Sequence, residues 1–267
     1  MADILESIVA DKRLEVAAAR EAVPLRVMAQ SAERAASERK CLSMRGALAA
    51  SRSGIIAEFK RRSPSKGWIC RSCRPEEVVP AYAAGGASAV SILTDSKYFG
   101  GSPDYISFVR ALVPDTPLLR KEFIIDEYQL YEARAVGADA VLLIAACLER
   151  EQCRFLAAKA RSLGLETLLE VHSRGELDYF GENIDMLGVN NRNLGSFFTD
   201  VQTSFALAGE LPKGALTVSE SGIGSAETVL ALREAGFRGF LIGETFMKAP
   251  DPGAALASLV ESVEFRV

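Results

Sequence analysis

The chain has 267 residues, 49% of them hydrophobic and 25% charged, with a formal charge of −4 at pH 7. That composition is ordinary for a soluble globular protein, at a length that one barrel-type core can fill. A nearly balanced charge without long blocks gives no reason to expect nucleic acid or an anionic membrane as partner, and no apolar run approaches the roughly 18 residues that span a bilayer. A basic cluster must therefore be local and suited to a small anion.

Residues 1–53 read as a helical extension. Ile4, Ile8, Leu14, Val16 and Ala17 roughly keep a helical stripe among charges, and an alanine-rich segment runs from about Ser31 to Ala50. Such short stripes suit a cover over one end of a domain better than an interaction arm. From Gly54 the pattern changes to apolar runs alternating with amphipathic segments. The runs are Ile55 to Phe59, Ala89 to Leu93, Pro117 to Leu119 leading into Arg120-Lys121, Ala138 to Ala145, Leu165 to Val171, Ile184 to Val189, Ala215 to Val218 and Phe237 to Ile242.

Helix punctuation agrees, with Pro103 and Pro252 at first-turn positions and Gly137, Gly164, Gly209 and Gly236 after the last turns. Strands apolar on both faces and separated by helices imply a parallel sheet. Repeated eight times, the unit predicts an α/β fold, a (β/α)8 TIM barrel with an N-terminal helical extension, within a single domain over residues 1–267. An open doubly wound sheet is the alternative.

Cysteines at 41, 70, 73, 147 and 153 have no regular spacing, and nothing upstream resembles a secretory signal. A cytoplasmic protein with reduced thiols is expected. Cys70 and Cys73 form a C-x-x-C, but no second ligand pair accompanies it and the only histidine, His172, is remote in sequence. Neither a metal site nor a thioredoxin-like role is expected.

In a parallel barrel the chemistry sits at the carboxyl ends of the strands. Here those ends carry Glu58 and Lys60, then Lys121, Glu170, Asn190 with Arg192, Ser221, and Glu244. Strand alternation puts Glu58 and Lys60 on one face, Leu119 and Lys121 on one face, and Leu168 and Glu170 on one face. If the leucines pack inside the barrel, the charges cap that packing. Ser221-Gly222-Ile223-Gly224 and Ile242-Gly243-Glu244-Thr245 follow the last two strands, where glycines let backbone N–H groups approach a substrate phosphate. His172, at the position just beyond its strand, is read as facing outward and serving the scaffold or the surface.

The segments IIAEFKRRSPSKG, SILTDSKYFGGS, LLRKEFIID, ADAVLLIAACL, LLEVH, LGVNNRNL, VSESGI and FLIGETFM, in this order, resemble the indole-3-glycerol phosphate synthase family. The resemblance implies ring closure, decarboxylation and dehydration of 1-(2-carboxyphenylamino)-1-deoxyribulose 5-phosphate in tryptophan biosynthesis, with no metal or coenzyme. It implies a small sugar phosphate as the only partner, and a monomer or weak homo-oligomer. Lys121 would be the general acid. Lys60 would hold the substrate carboxylate, deliver a proton during dehydration and help bind phosphate. Glu58 and Glu170 would orient the lysines and remove a proton. Asn190, Arg192, Ser63 and Ser221 would hold substrate, Phe99 and Leu194 would seat its aromatic ring, and Ser221, Gly222, Gly243 and Glu244 would hold its phosphate.

Glu244 stands where some members of the family carry serine, so its side chain is expected to turn away and leave only its N–H. The two lysines and Arg192 are expected to lower one another's pKa by like-charge repulsion. Three rival readings remain. They are the neighbouring isomerase of the same pathway, an aldolase with Lys121 as Schiff-base nucleophile, and a phosphate-binding barrel without turnover.

Overall fold

The structure is a computed structural model that describes residues 4–193, 195 and 198–266. Its centre is a closed parallel barrel of β1 (Ile55–Phe59), β2 (Ala89–Leu93), β3 (Leu118–Lys121), β4 (Ala140–Ile144), β5 (Glu166–Val171), β6 (Met186–Asn190), β7 (Leu216–Glu220) and β8 (Gly239–Ile242). Each strand pairs with the next in sequence, and β1 closes on β8 through Ile55 with Phe240, Ile56 with Leu241, and Ala57 with Ile242. Closure rules out the open sheet. Several strands start a residue or two later than their apolar runs, because the first residues of those runs finish the preceding loop.

Alternation along the strands divides the apolar residues between two cores. Ile56, Leu119, Leu142, Leu168, Met186 and Val218 fill the barrel interior. Their neighbours one position away, among them Ala57, Leu118, Leu143, Leu169 and Leu187, pack outward against the helices. Following the interior phase to the strand ends gives Glu58, Lys121, Glu170, Asn190 and Glu220. Polar side chains thus gather where the barrel opens, while Ser91, two positions beyond interior Ala89, is buried in mid-strand.

The extension consists of α1 (Ile4–Ala22), α2 (Leu25–Glu38) and α3 (Met44–Ala50). It serves both ends of the barrel, where a cover for one end was expected. α3 closes the amino end. Met44 and Leu48 are fully buried in the interior core, while the Ser43 hydroxyl and the Arg45 N–H donate to Glu166 at the start of β5, at 2.6 and 2.7 Å. α2 packs along the helix Glu127–Val136. α1 crosses the carboxyl end, where Leu5 and Ile8 join the interior core.

After β1 the chain forms a small antiparallel hairpin, Arg62–Ser63 with Gly67–Trp68. A disulfide between Cys70 and Cys73 follows it. The expectation of reduced thiols fails for this pair: the two-residue spacing holds the Cα atoms 5.5 Å apart, within bridging range. Cys41 and Cys153 are free thiols. Among the described residues no helix is long and apolar enough to cross a membrane.

Candidate active site

Lys121 projects from the end of β3 into the barrel mouth. Its Nζ donates to Glu170 Oε2 at 2.9 Å and also to Glu220 Oε2. From β1, Lys60 Nζ donates to Glu58 Oε1 at 2.5 Å. The carboxylates of Glu58, Glu170 and Glu220 are all buried. Two glycines clear space for them. A Cβ on Gly188 would collide with Glu220 Oε1, and one on Gly243 would collide with Glu58 Oε1. Gly243 thus has a second reason to be glycine besides approach to an anion.

Three carboxylates around one buried ammonium set the electrostatics. Burial works against the charge on Lys121, but Glu170, Glu220 and Glu58 outweigh it and raise its pKa well above the usual lysine range. The expected mutual lowering among the cations does not occur at Lys121, because carboxylates surround it. Burial alone would raise Glu170, but Lys121 and His172 hold it down to about 2. Glu220 is pushed up to about 7, by burial first and by its like-charged neighbours Glu170 and Glu58, against the pull of Lys121. One ammonium shared by two buried carboxylates leaves one of them ionised and the other able to titrate near neutrality. The group can therefore give and take protons at physiological pH.

Two adjoining clefts share Glu58 and Lys60 of this charged group. The first, about 820 Å³ and open to solvent, sets Leu5, Ile8, Phe99, Phe123 and Leu142 opposite Lys121, Glu170 and Asn190. Phe99 is carried on the short helix Ser96–Phe99, whose first turn is capped by Asp95 Oδ1 accepting from the N–H of Tyr98 at 2.7 Å and of Phe99 at 3.2 Å. The second cleft, about 700 Å³, is lined by Gly222, Gly224, Gly243, Glu244 and Thr245. Glu58, Lys60, Arg192 and Ser221 line both. Ser221 has φ 70° and Gly222 φ 75°, so two successive left-handed residues turn the chain off β7. Such a turn in a non-glycine residue needs outside support. It comes from buried Asn191, whose Nδ2 donates to the Ser221 carbonyl at 2.9 Å.

Several predicted residues sit differently from expectation. The Glu244 carboxylate does not turn away. It ion-pairs with Lys66 at 2.5 Å, Lys248 at 2.6 Å and Arg192 at 3.6 Å on the rim of the second cleft, where cations offset its charge. Ser63 is buried in the hairpin and lines neither cleft. Leu194 lies outside the described residues. His172 does not face outward. It lies two positions beyond Glu170, so it shares the inward phase, and its Nε2 is 3.4 Å from Glu170 Oε1. The strand-end reading passed over Glu220 without a role, although Val218 and Glu220 repeat the alternation of Leu168 and Glu170. The contribution of Ile8 has no signal beyond its helical stripe, and Leu5 stands outside that stripe.

The family described as indole-3-glycerol phosphate synthase matches residues 5–259. A protein of that name from Bacteroides thetaiotaomicron is 59% identical over 264 residues, covering 99% of this chain and 100% of its own length. The namesake from Albidiferax ferrireducens is 47% identical, covering 97% and 98%. Among solved structures, 3-hexulose-6-phosphate synthase from Salmonella typhimurium superposes with a TM-score of 0.62 at 13% identity, covering 79% of this chain and 98% of that one. A structure titled native KDPGal gives 0.58 at 17% identity, covering 79% and 94%. At such identities these two speak for the barrel alone. The sequence relatives go further, and on their strength this chain belongs to the indole-3-glycerol phosphate synthase family.

Proposed function

We propose that the protein is a carboxy-lyase acting in the cytoplasm, converting 1-(2-carboxyphenylamino)-1-deoxyribulose 5-phosphate to indole-3-glycerol phosphate, carbon dioxide and water in tryptophan biosynthesis. The observation that carries this reading is Lys121, held by Glu170 and Glu220 beside an apolar cleft that shares Glu58, Lys60, Arg192 and Ser221 with a glycine-lined one. The apolar cleft suits the anthranilate ring. The glycine turns after β7 and β8 suit the phosphate.

In this reading the ring carbon bearing the carboxylate attacks the ketone, and Lys121 gives its proton to the ketone oxygen. Carbon dioxide then leaves with its bonding pair returned to the ring, which restores aromaticity. Dehydration takes a second proton, delivered by Lys60 to the departing hydroxyl, and releases one from the adjacent carbon to Glu170 or Glu58. Two protons enter and one leaves, so decarboxylation consumes one overall. Asn190 and Arg192 hold the substrate's polar groups near the lysines. Ser221, Gly222 and Gly243, with the Glu244 N–H, approach the phosphate.

The charge on Lys121 argues against the aldolase reading, because a Schiff-base lysine must shed its proton before it attacks. A binding barrel without turnover would have no use for a carboxylate that titrates near neutrality beside a loaded acid. Mixing purified protein with the carboxyphenylamino substrate should give rising indole fluorescence and release carbon dioxide in equal amount. Tight binding with neither signal would overturn the enzyme reading in favour of the binder. A borohydride-stable adduct at Lys121 would favour the aldolase.

A further inference from the structure

Glu170 has two oxygens, with Lys121 beside one and His172 beside the other. Oε2 accepts from Lys121 at 2.9 Å, and Oε1 faces His172 Nε2 at 3.4 Å, close enough for an ion pair though not aligned as a hydrogen bond. The other side of the imidazole is guarded by Glu176, from the 3-10 segment Arg174–Tyr179. Its Oε2 lies 3.7 Å from His172 Nδ1 and accepts the His172 backbone N–H at 2.6 Å. Both ring nitrogens are shielded from water and neither has a full hydrogen bond. His172 lines neither cleft, so it is not placed to touch substrate.

The charged groups facing the ring are Glu170 on its own strand, Glu176 from the segment after it and Glu220 from β7, with Lys121 of β3 beyond Glu170. Burial disfavours the imidazolium, but Glu176, Glu170 and Glu220 together raise its pKa above the ordinary value. Burial likewise opposes charge on Glu176, which His172 nevertheless lowers. With His172 protonated, the row Glu176, His172, Glu170, Lys121 alternates in charge from the protein surface to the reacting centre.

We infer that His172, fixed by Glu176, is a positioning residue that keeps Glu170 ionised and turned toward Lys121. The inference rests on the proposed reaction for its kinetic consequence, but its physical content concerns one carboxylate. A nearby opposite charge typically lowers a carboxyl pKa by about 1 to 3 units. Replacing His172 by leucine removes that charge and any donor. His172→Gln removes the charge and keeps a donor near the Nε2 position. Glu176→Gln leaves the ring in place but takes away the carboxylate that fixes it.

The test follows Glu170 directly, by carbon-detected NMR titration of labelled glutamate side chains, alongside the pH dependence of kcat. With His172→Leu, the Glu170 pKa and the acidic limb of kcat should both move up by about one unit, while KM changes less than two-fold. With Glu176→Gln, both should move in the same direction by less. His172→Gln should recover part of the lost kcat but not the pH shift. A His172→Leu protein that melts cooperatively and shows an unmoved Glu170 titration overturns the inference, as does a Glu176→Gln protein with an unchanged titration if the leucine variant does not fold. Failure of the wild type to make indole-3-glycerol phosphate would instead sink the proposed reaction, and the titration would still decide the role of His172.

Discussion

Two clusters of buried charge lie within a few residues of each other at the mouth of the barrel, and the proposed chemistry falls to only one of them. The segment Arg120-Lys121-Glu122 contributes to both. Lys121 points inward to Glu170 and Glu220, while Arg120 and Glu122 are engaged beneath α1, Glu122 also lining the first cleft. There Lys12 of α1 pairs with Glu15 at 2.5 Å, Asp95 at 2.9 Å and Glu122 at 3.1 Å. Glu122 also accepts from Thr94 Oγ1 at 2.7 Å, and Arg120 Nη1 donates to the Gln129 carbonyl at 2.9 Å. The electrostatic consequences differ. Burial opposes charge on Lys12 and on Glu122, yet opposite partners raise the first and lower the second, so both remain ions at any ordinary pH. In the inner cluster, Glu220 is left near 7. Burial of charge alone does not mark an active site. A buried group left within the range of physiological titration is what separates the inner cluster from the outer one.

The largest difference between the clusters should appear in turnover. Lys121→Ala should cut kcat by about a thousand-fold or more and leave binding of a substrate analogue within a few-fold, measured by calorimetry. Arg120→Lys, one residue away on the outer face, should leave kcat nearly unchanged while lowering the melting temperature. If the two variants lost activity equally, the division between inner and outer clusters would be broken.

Next in size is the structural effect of the outer cluster. Removing one partner of a buried ionic network typically destabilises by about 3 to 5 kcal/mol, because the remaining charges stay buried and unpaired. Lys12→Met should therefore lose about that much by urea denaturation, since Asp95 and Glu122 would be left facing each other. α1 also brings Leu5 and Ile8 to the apolar cleft. The folded fraction should accordingly show a raised KM with kcat within about two-fold of wild type. A large fall in kcat with unchanged stability would assign Lys12 to the chemistry and sharpen the boundary differently.

The contrast between the clusters was partly legible in the sequence. Alternation alone predicts that Lys121 shares the phase of Leu119 and Glu170 that of Leu168, and the interior core shows both. The same alternation applies to His172 and to Glu220. His172 lies two positions beyond Glu170 and Glu220 two beyond Val218, so both share the inward phase. The charge state of Lys121 was not legible. Its sign depends on which carboxylates arrive from β5 and β7 across the barrel, and strand order fixes neighbours without fixing contacts across the lumen. The pairing of Lys12 with Asp95 and Glu122 was equally hidden, since nothing in the stripe of α1 says which end of the barrel it meets. The Cys70–Cys73 bridge escaped for another reason: compartment, rather than local geometry, had been used to judge it.

The smallest effect tests the inner cluster through stability rather than rate. A carboxyl group whose folded-state pKa lies above its unfolded value binds its proton more tightly when folded. Its contribution to stability is fully present below the unfolded value, near 4.5, and is lost as pH rises through about 7. Above that, the wild-type protein holds an ionised Glu220 that burial and Glu170 disfavour. Glu220→Gln should then be little different from wild type at pH 4.5 and more stable at pH 8, by on the order of 2 kcal/mol, with the gain developing between those values in urea or thermal melts. Its turnover should fall even as its stability rises, as expected when a strained group serves function. A corresponding Glu122→Gln variant should behave the opposite way. It should lose stability at neutral pH, with the difference from wild type shrinking as acid protonates the native Glu122, whose folded-state pKa is depressed. If Glu220→Gln instead lost stability at pH 8, Glu220 would be an ordinary partner of Lys121, and the inner cluster would be as permanently charged as the outer one.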